Sequence, residues 1–262
     1  MKNKAIIITT PTAYAARLVS ALQERGFLNL VQHSVIENVF VDSPHFHLLF
    51  DTLLTYDFII LPSRNAIEAF IEQSKKYTIE LELLQQVRFV TIGKDADYLL
   101  EFGLTNYLDS TEPSTKGIFN ALKKYAKIKK MAVLVPKVEG IDEPDIIPDF
   151  LNDLRSIGQV HKIEAYITRP SETIDKQITK RIIDDNYNII AVTSGGEIEA
   201  LKSLLGSKVD FQSLRIVCFG PYTAKSAFKH NISPLLVGDD FSSFDGFADA
   251  IHTYFANDGN DI

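Results

Sequence analysis

The chain has little sulfur and no long apolar run. Its 262 residues include one cysteine, Cys218, two methionines and no tryptophan. A single cysteine excludes an internal disulfide and any metal site built from several cysteines. Apolar runs such as Ala5–Ile8 are only a few residues long, whereas a membrane-spanning helix needs about 18 apolar residues. The N-terminus lacks the features of a signal peptide, so we expect a cytoplasmic protein with no membrane partner.

The chain also lacks an excess of positive charge. It has 27 Lys and Arg residues against 34 Asp and Glu residues, which gives a net charge of -7. Proteins that bind nucleic acid usually present a basic surface, so we expect no nucleic-acid partner. An acidic ligand would need local donors, such as backbone N–H groups and helix N-termini.

The common catalytic signatures are missing as well. The sequence contains no G-x-G-x-x-G, G-x-x-x-x-G-K-[ST], H-E-x-x-H or G-x-S-x-G motif, and each of these has a known mechanical role. His45 and His47 are two residues apart, but no third metal ligand accompanies them, so we expect a loop or linker there. Cys218 is expected to be a small core residue.

What the sequence does contain is a regular alternation. Short segments rich in Ile and Val alternate with amphipathic stretches such as Thr12–Arg25 and Asn65–Ser74, which are predicted to be helices. This alternation is typical of βαβ units around a parallel sheet and predicts an α/β fold. The segments predicted to be strands are Ala5–Thr9, Phe58–Leu61, Phe89–Ile92, Ala132–Val135, Ile189–Val192 and Ile216–Phe219.

An internal repeat divides the chain. Three blocks recur in the same order: Asp57–Phe70 with Asn188–Leu201, Val87–Ala96 with Leu214–Thr223, and Ser114–Tyr125 with Ser243–Tyr254. A strand–Pro–helix–Gly unit also occurs twice, in Ala5–Gly26 and Ala132–Gly158. Two similar α/β domains follow from this order.

The repeat permits two layouts. Each half could fold alone, or the first strand–Pro–helix–Gly unit could join the last blocks while the central blocks form the other domain. The second layout needs two crossings of the chain between domains, near Val35–Val41 and Ile163–Pro170.

Polar and glycine-rich loops follow several predicted strands. Ligands of open parallel α/β sheets bind outside the carboxyl ends of the strands. Ser, Thr and Gly in these loops can cap a helix or bind an anion. One loop alone is explained by helix capping, but five together favour a shared cleft. The loops are Thr9–Pro11, Pro62–Asn65, Gly93-Lys94, Thr193–Gly196 and Gly220–Thr223.

Motifs in these loops and two further motifs resemble those of uroporphyrinogen-III synthases over essentially the whole chain. The motifs are Thr9–Pro11, Ser63 with Asn65-Ala66, Ile92-Gly93, Tyr166, Thr193-Ser194, Gly220–Ala224 and Ser243–Phe247. The chain departs from the family pattern at Thr10 and at Pro136-Lys137, where arginine is common, and at Asp95, where threonine is frequent. The two arginine positions would have faced an acidic substrate.

The resemblance implies an enzyme that closes hydroxymethylbilane to uroporphyrinogen III, with inversion of ring D and loss of water. It implies no cofactor and no metal, a monomer, and at most transient contact with the preceding enzyme of the pathway. It also implies two domains, joined by a two-stranded linker, with a cleft between them. With the repeat order, it favours one domain of residues 1–35 and 168–262 and another of residues 36–167.

The resemblance also suggests site residues. Tyr166 is the candidate general acid, and the alternative is a half-buried strand aromatic. Thr223 is expected to cap its helix and hold a substrate carboxylate. A different interpretation of the whole chain is a two-lobed, non-enzymatic protein that binds a small anion. The candidate substrate-binding residues are Thr10, Ser63, Arg64, Asn65, Gly93, Lys94, Ser194, Gly195, Gly220, Tyr222 and Thr223.

Overall fold

A computed structural model describes residues 1–93, 95–108, 112–125 and 128–257. The strands within these ranges are β1 (Ala5–Ile8), β2 (Asn29–Gln32), β3 (Ile36–Phe40), β4 (Phe58–Leu61), β5 (Phe89–Thr91), β6 (Lys130–Val138), β7 (Gln159–Pro170), β8 (Ile189–Val192), β9 (Ile216–Cys218) and β10 (Leu236–Val237). The helices are α1 (Thr12–Glu24), α2 (Pro44–Asp51), α3 (Arg64–Lys76), α4 (Leu81–Leu84), α5 (Asp95–Leu100), α6 (Thr115–Leu122), α7 (Ile146–Arg155), α8 (Lys176–Ile183), α9 (Gly195–Leu205), α10 (Pro221–Lys229) and α11 (Phe244–Asn257).

The strands form two five-stranded sheets. Their orders are β10-β9-β8-β1-β2 and β3-β7-β6-β4-β5. In the first sheet β1 pairs in parallel with β2 and with β8, so that Ile6 lies opposite Ile189. In the second sheet β4 pairs in parallel with β5 and β6. The predicted α/β fold with parallel sheets is therefore confirmed.

The chain divides into two compact units. Unit 1 contains residues 1–37, 139–144 and 169–262, and unit 2 contains residues 38–138 and 145–168. The first sheet lies in unit 1, and the residues of β3 and β7 are divided between the units. The predicted domains, residues 1–35 with 168–262 and residues 36–167, stay a prediction.

In unit 1, helices cover both faces of the sheet. Ile7 of β1 packs into a core with α8, α9 and α10, whereas Ile6 and Ile8 pack on the other side with α1 and α11. Successive side chains of a strand point to opposite faces, so a sheet covered on both faces needs the continuous apolar strands of this sequence.

Unit 2 repeats the arrangement. Ile59 and Leu61 of β4 pack with α2 and α3, and Phe58 and Ile60 pack with α6 and α7. Because the strands run parallel, their carboxyl ends meet at one edge of each sheet. None of the described helices combines the length and the apolar content that crossing a bilayer requires.

The segment with His45 and His47 is helical, which corrects the expected loop. Ser43 caps α2 by accepting a hydrogen bond from His45 N at 3.3 Å, and Pro44 occupies the first turn. Proline at this position favours a helix because its missing N–H would be unpaired there anyway. Phe46 is fully buried and anchors the helix to the core of unit 2.

Candidate active site

At the carboxyl edge of the unit 2 sheet, Ser63 and Tyr166 form a hydrogen-bonded pair. Ser63 follows β4 and caps α3, because its Oγ accepts a hydrogen bond from Ala66 N at 3.2 Å. The same Oγ lies 3.2 Å from Tyr166 Oη. Tyr166 faces Pro136 on β6, immediately after a register shift at Val135/Pro136. The irregularity sets which residue of β7 lies opposite Pro136.

Tyr166 is a buried phenol rather than a half-buried one. Its residue is 5% exposed, and its ring meets the Phe40 ring edge-on at a centroid distance of 6.3 Å. Burial raises the pKa of Tyr166 to about 12, although hydrogen bonds with Ser63 and Asn65 favour the phenolate. The hydroxyl therefore keeps its proton at neutral pH and is able to donate a hydrogen bond.

Arg64 is held by its neighbours. Its guanidinium lies 3.6 Å from the centroid of the Tyr98 ring, and its Nε lies 3.4 Å from Glu68 Oε1. Tyr98 Oη also donates a hydrogen bond to Glu68 Oε1 at 3.1 Å. Burial opposes the charge of Arg64, but Tyr98 and Glu68 outweigh it and raise the pKa. This cation is thus oriented by α3 and α5.

Two more candidate residues of unit 2 lie near the ends of β4 and β5. Asn65 is half-buried in the first turn of α3. Gly93 has φ +48°, and a Cβ there would lie 3.0 Å from Pro113 Cβ, so the position favours glycine. Lys94 lies outside the described residues.

The buried carboxyl group of Glu197 lies at the edge of the unit 1 sheet where the carboxyl ends of the strands meet. Ser194 follows β8 and caps α9, with its Oγ accepting a hydrogen bond from Glu197 N at 3.4 Å. Glu197 is 0% exposed. Burial raises its pKa, against the hydrogen bonds from Thr193, Thr9 and Ser194 that favour the ionised form.

The sequence contained a signal for Glu197 that our sequence reasoning missed. Ser194 and Glu197 form a Ser-x-x-Glu pattern, which is the signature of a capping box. In a capping box the Glu accepts the N–H of the capping residue. Here its carboxyl oxygens both lie 3.2 Å from Thr193 N, one residue earlier.

Thr10 and Thr223 lie at the same edge. Thr10 is fully buried, and the described residues offer its Oγ1 no hydrogen-bond partner. Thr223 does not cap α10, so that prediction is wrong. The N-cap is Gly220, and Thr223, inside the first turn, donates from Oγ1 to Thr193 O at 3.2 Å. Thr223 therefore links α10 to the loop after β8.

The remaining candidates of unit 1 are two closely packed glycines and a partly exposed tyrosine. A Cβ on Gly220 would lie 2.8 Å from Phe241 Cβ, and a Cβ on Gly195 would collide with Ser226 Oγ. These close approaches explain the glycines. Tyr222 is 36% exposed, and its ring meets the Phe241 ring edge-on at 6.3 Å.

The structure thus gathers the described candidates at two sheet edges, one in each unit. Ser63, Arg64, Asn65, Gly93 and Tyr166 lie in unit 2, and Thr10, Ser194, Gly195, Gly220, Tyr222 and Thr223 lie in unit 1. Hydroxyl groups and the first turns of helices dominate both edges. Such groups are suited to hold carboxylates by hydrogen bonds.

Comparison with known proteins gives a consistent result. The family model described as uroporphyrinogen-III synthase HemD matches residues 16–246. The porphyrin biosynthesis protein HemD of Ruminiclostridium josui is 24% identical over 230 residues, which are 87% of this chain and 44% of that protein. The chain therefore spans less than half the length of this curated relative.

Two solved structures share the fold. A mutant uroporphyrinogen III synthase of the extremely thermophilic bacterium Thermus thermophilus has a TM-score of 0.63 at 16% identity, over 95% of this chain and 99% of that chain. Uroporphyrinogen-III synthetase of Helicobacter pylori 26695 has a TM-score of 0.53 at 12% identity, with 95% and 99% covered. From the family model, which covers residues 16–246 and therefore most of the sequence, we conclude that the chain belongs to the uroporphyrinogen-III synthase family.

Proposed function

We propose that the chain cyclises hydroxymethylbilane to uroporphyrinogen III, with inversion of ring D and loss of water, in tetrapyrrole (heme) biosynthesis. The observation that carries the proposal is the family match over residues 16–246. The range contains Ser63, Tyr166 and the loops that follow β8 and β9. The hydrogen-bonding groups at both sheet edges support it further.

Substrate binding must overcome charge repulsion. Hydroxymethylbilane carries eight carboxylates, while the chain carries a net charge of -7. Local donors therefore hold the substrate. The helices that follow β1 and β9, α1 and α10, have no side-chain hydrogen bond at the N-cap, and first-turn N–H groups have no partners within their helix. These groups, with Thr10 and Ser194, offer hydrogen bonds to carboxylates.

The reaction depends more on the positioning of the substrate than on acid catalysis. Loss of the substrate hydroxyl leaves an electrophilic azafulvene, which closes without inversion when it is free in water. The enzyme must hold ring D so that its substituted carbon attacks first and forms a spiro intermediate. Fixing reacting groups in this way lowers the barrier by removing orientational freedom.

Tyr166 is the proposed donor to the departing hydroxyl. General acids contribute about 10²–10⁴-fold, and they work best when their pKa lies near the working pH. Burial raises the pKa of Tyr166 to about 12, which is far from neutrality. We therefore assign Tyr166 a contribution at the low end of that range, through hydrogen-bond donation as the C–O bond breaks.

The product isomer tests the proposal. The purified chain receives hydroxymethylbilane, and the oxidised products are separated into type I and type III isomers. We expect type III, formed as fast when a chelator is present as when it is absent. If only type I forms, at the rate of a buffer control, the proposed enzyme activity fails. Binding of intact substrate without turnover would then favour the two-lobed binding protein.

We also propose that the chain works as a cytoplasmic monomer and receives its substrate through transient contact with the preceding enzyme. The single cysteine supports a reducing compartment. Direct transfer would help because free hydroxymethylbilane closes to the wrong isomer. Size-exclusion chromatography tests the monomer. A coupled assay tests the transfer, since contact predicts a higher type III fraction than the same substrate flux supplied without that enzyme.

A further inference from the structure

Only two carboxyl groups are buried in the described part of the chain, and both lie in α9. Glu199 is 6% exposed; it lies 2.9 Å from His230 Nε2 and 3.8 Å from Lys229 Nζ, which provides a partner of opposite charge. Glu197 is 0% exposed, and its hydrogen bonds come from hydroxyl and amide groups only. Burying a carboxyl group costs free energy unless hydrogen bonds offset it. A buried carboxyl group that has no cation as a partner therefore requires an explanation.

The contacts of Glu197 tie two loops together. Its Oε2 accepts a hydrogen bond from Thr9 Oγ1 at 2.7 Å. Its Oε1 accepts from Thr193 Oγ1 at 2.6 Å and from Ser194 Oγ at 3.1 Å. Thr9 follows β1, while Thr193 and Ser194 follow β8. One carboxyl group therefore fixes the loops at the ends of two neighbouring strands.

The fixed residues adjoin the proposed substrate donors. Thr9 precedes Thr10, whose buried Oγ1 has no partner among the described residues. Ser194 precedes the first-turn amides of α9. The carbonyl oxygen of Thr193 in turn accepts the hydrogen bond of Thr223. The carboxyl group thus orients residues of three elements at this edge.

The internal repeat provides a control for a purely structural role. Ala66 of unit 2 matches Glu197 of unit 1, because DFIILPSRNAIEAF aligns with NIIAVTSGGEIEAL. Ala66 is also fully buried, and Ser63 caps α3 through Ala66 N. A strand–Ser–helix turn of this type therefore forms without a carboxyl group. The stability of the turn does not explain Glu197.

We propose that Glu197 is a positioning residue for substrate binding, which sets the loops after β1 and β8 so that Thr10 and the first turn of α9 receive a substrate carboxylate. The inference rests on the proposed function. Glu197 itself is fully buried, so it acts through Thr9, Thr193 and Ser194.

The test compares Glu197→Gln with Glu199→Gln, an identical change two residues along the same helix. Glutamine keeps the volume of Glu197 but removes one acceptor oxygen. We expect Glu197→Gln to raise KM for hydroxymethylbilane about tenfold, as expected for loss of one hydrogen bond to a charged group. Its kcat should stay within about twofold, since uniform binding alone is lost. Glu199→Gln should leave KM unchanged.

A second variant covers the case in which Glu197→Gln does not fold. Thr9→Val removes the donor to Glu197 Oε2 while keeping the shape of the side chain, and it should raise KM in the same direction. Where both variants fold, their effects on KM should not add, because they break the same contact. Amide hydrogen exchange of residues 9, 10 and 12 and of residues 193–197 should accelerate in both variants and not in Glu199→Gln.

The outcomes separate the two proposals. An inactive wild-type chain overturns the proposed function, and the inference falls with it. If the wild type is active, the inference alone is overturned by either of two results. One is an unchanged KM of Glu197→Gln, and the other is an increase in KM by the same factor in Glu199→Gln. Unchanged exchange in the two loops would also overturn it.

Discussion

The two sheet edges share a turn but differ in the group that completes it. In unit 2 the capping Ser63 lies 3.2 Å from the hydroxyl of Tyr166. In unit 1 the capping Ser194 donates a hydrogen bond to the carboxyl group of Glu197 at 3.1 Å. Both partner groups are buried, and burial raises the pKa of each.

The difference separates what the fold needs from what each edge adds. Both helices need a cap, and serine satisfies that need in both repeats. The partner of the serine hydroxyl is not needed for the turn, since a phenol serves one edge and a carboxyl group the other. The edges therefore differ on a repeated scaffold, and our proposals place chemistry at the Tyr166 edge and substrate positioning at the Glu197 edge.

The largest expected effect is a loss of stability when the glutamate of unit 1 is placed at the matched position of unit 2. Ala66→Glu places a carboxyl group in the core of unit 2, where Pro62 stands at the position matched to Thr193 and has neither a hydroxyl nor an N–H group to donate. An unpaired buried charge with overpacking should cost more than about 4 kcal/mol of unfolding free energy. Urea denaturation measures it. Ala66→Ser is the matched control and should lose far less, so equal losses would mean that the buried charge is not the cause.

Alkaline pH should weaken unit 2 through Tyr166. The pKa of the folded state is about 12, above the ordinary value of 10.0. A raised folded pKa means that the stabilising contribution is complete below pH 10 and is lost as the pH rises through 12. The loss should reach about 3 kcal/mol. Urea midpoints of the wild type and Tyr166→Phe, taken from pH 9 to pH 12, should converge and then cross, and a constant difference would contradict this.

The rate of catalysis should depend on the Tyr166 hydroxyl more than on its ring. Tyr166→Phe should lower kcat about 10²-fold and cost only about 1–2 kcal/mol of stability, because the hydrogen bonds with Ser63 and Asn65 are lost while the ring still packs. Tyr56→Phe is the matched control. Tyr56 is also a buried tyrosine of unit 2, and its Oη lies 2.9 Å from His161 Nδ1. Full activity of Tyr166→Phe would contradict the proposed role of the hydroxyl and would mean that substrate positioning alone accounts for the reaction.

The smallest effect concerns the residue after each capping serine. A Cβ on Gly195 would collide with Ser226 Oγ, whereas the matched Arg64 already carries one. Gly195→Ala should cost about 1 kcal/mol by overpacking, and adding Ser226→Gly should restore part of it. Arg64→Ala should cost less. Melting temperatures of the variants measure these losses. An unchanged melting temperature of Gly195→Ala would show that the Ser226 side chain rotates away freely.

Much of the fold follows from apolar patterning. Each of the six predicted strands overlaps an observed one, because a strand buried on both faces is a continuous run of Ile, Val and similar residues. The patterning could not reveal β2 or β3, whose residues are mostly half-buried and form no such run. It also could not reveal that β1 pairs with β8, since both layouts of the repeat satisfied the spacing.

The candidate site was predictable only in part. Ser63 and Ser194 were expected as possible caps because serine before an amphipathic stretch has a local meaning. The geometry around Thr223 depends on where α10 begins, and Pro221 sets that start earlier than a threonine cap would. The contact of Glu197 with Thr9 joins residues 188 positions apart, which no local pattern encodes.

The assignment of one role to each edge is tested most directly by measuring kcat and KM of Tyr166→Phe and Glu197→Gln side by side on hydroxymethylbilane. We predict that Tyr166→Phe lowers kcat about 10²-fold with KM little changed. We predict that Glu197→Gln raises KM about tenfold with kcat little changed. The account is contradicted if both variants change the same parameter by similar factors, or if the two patterns are reversed.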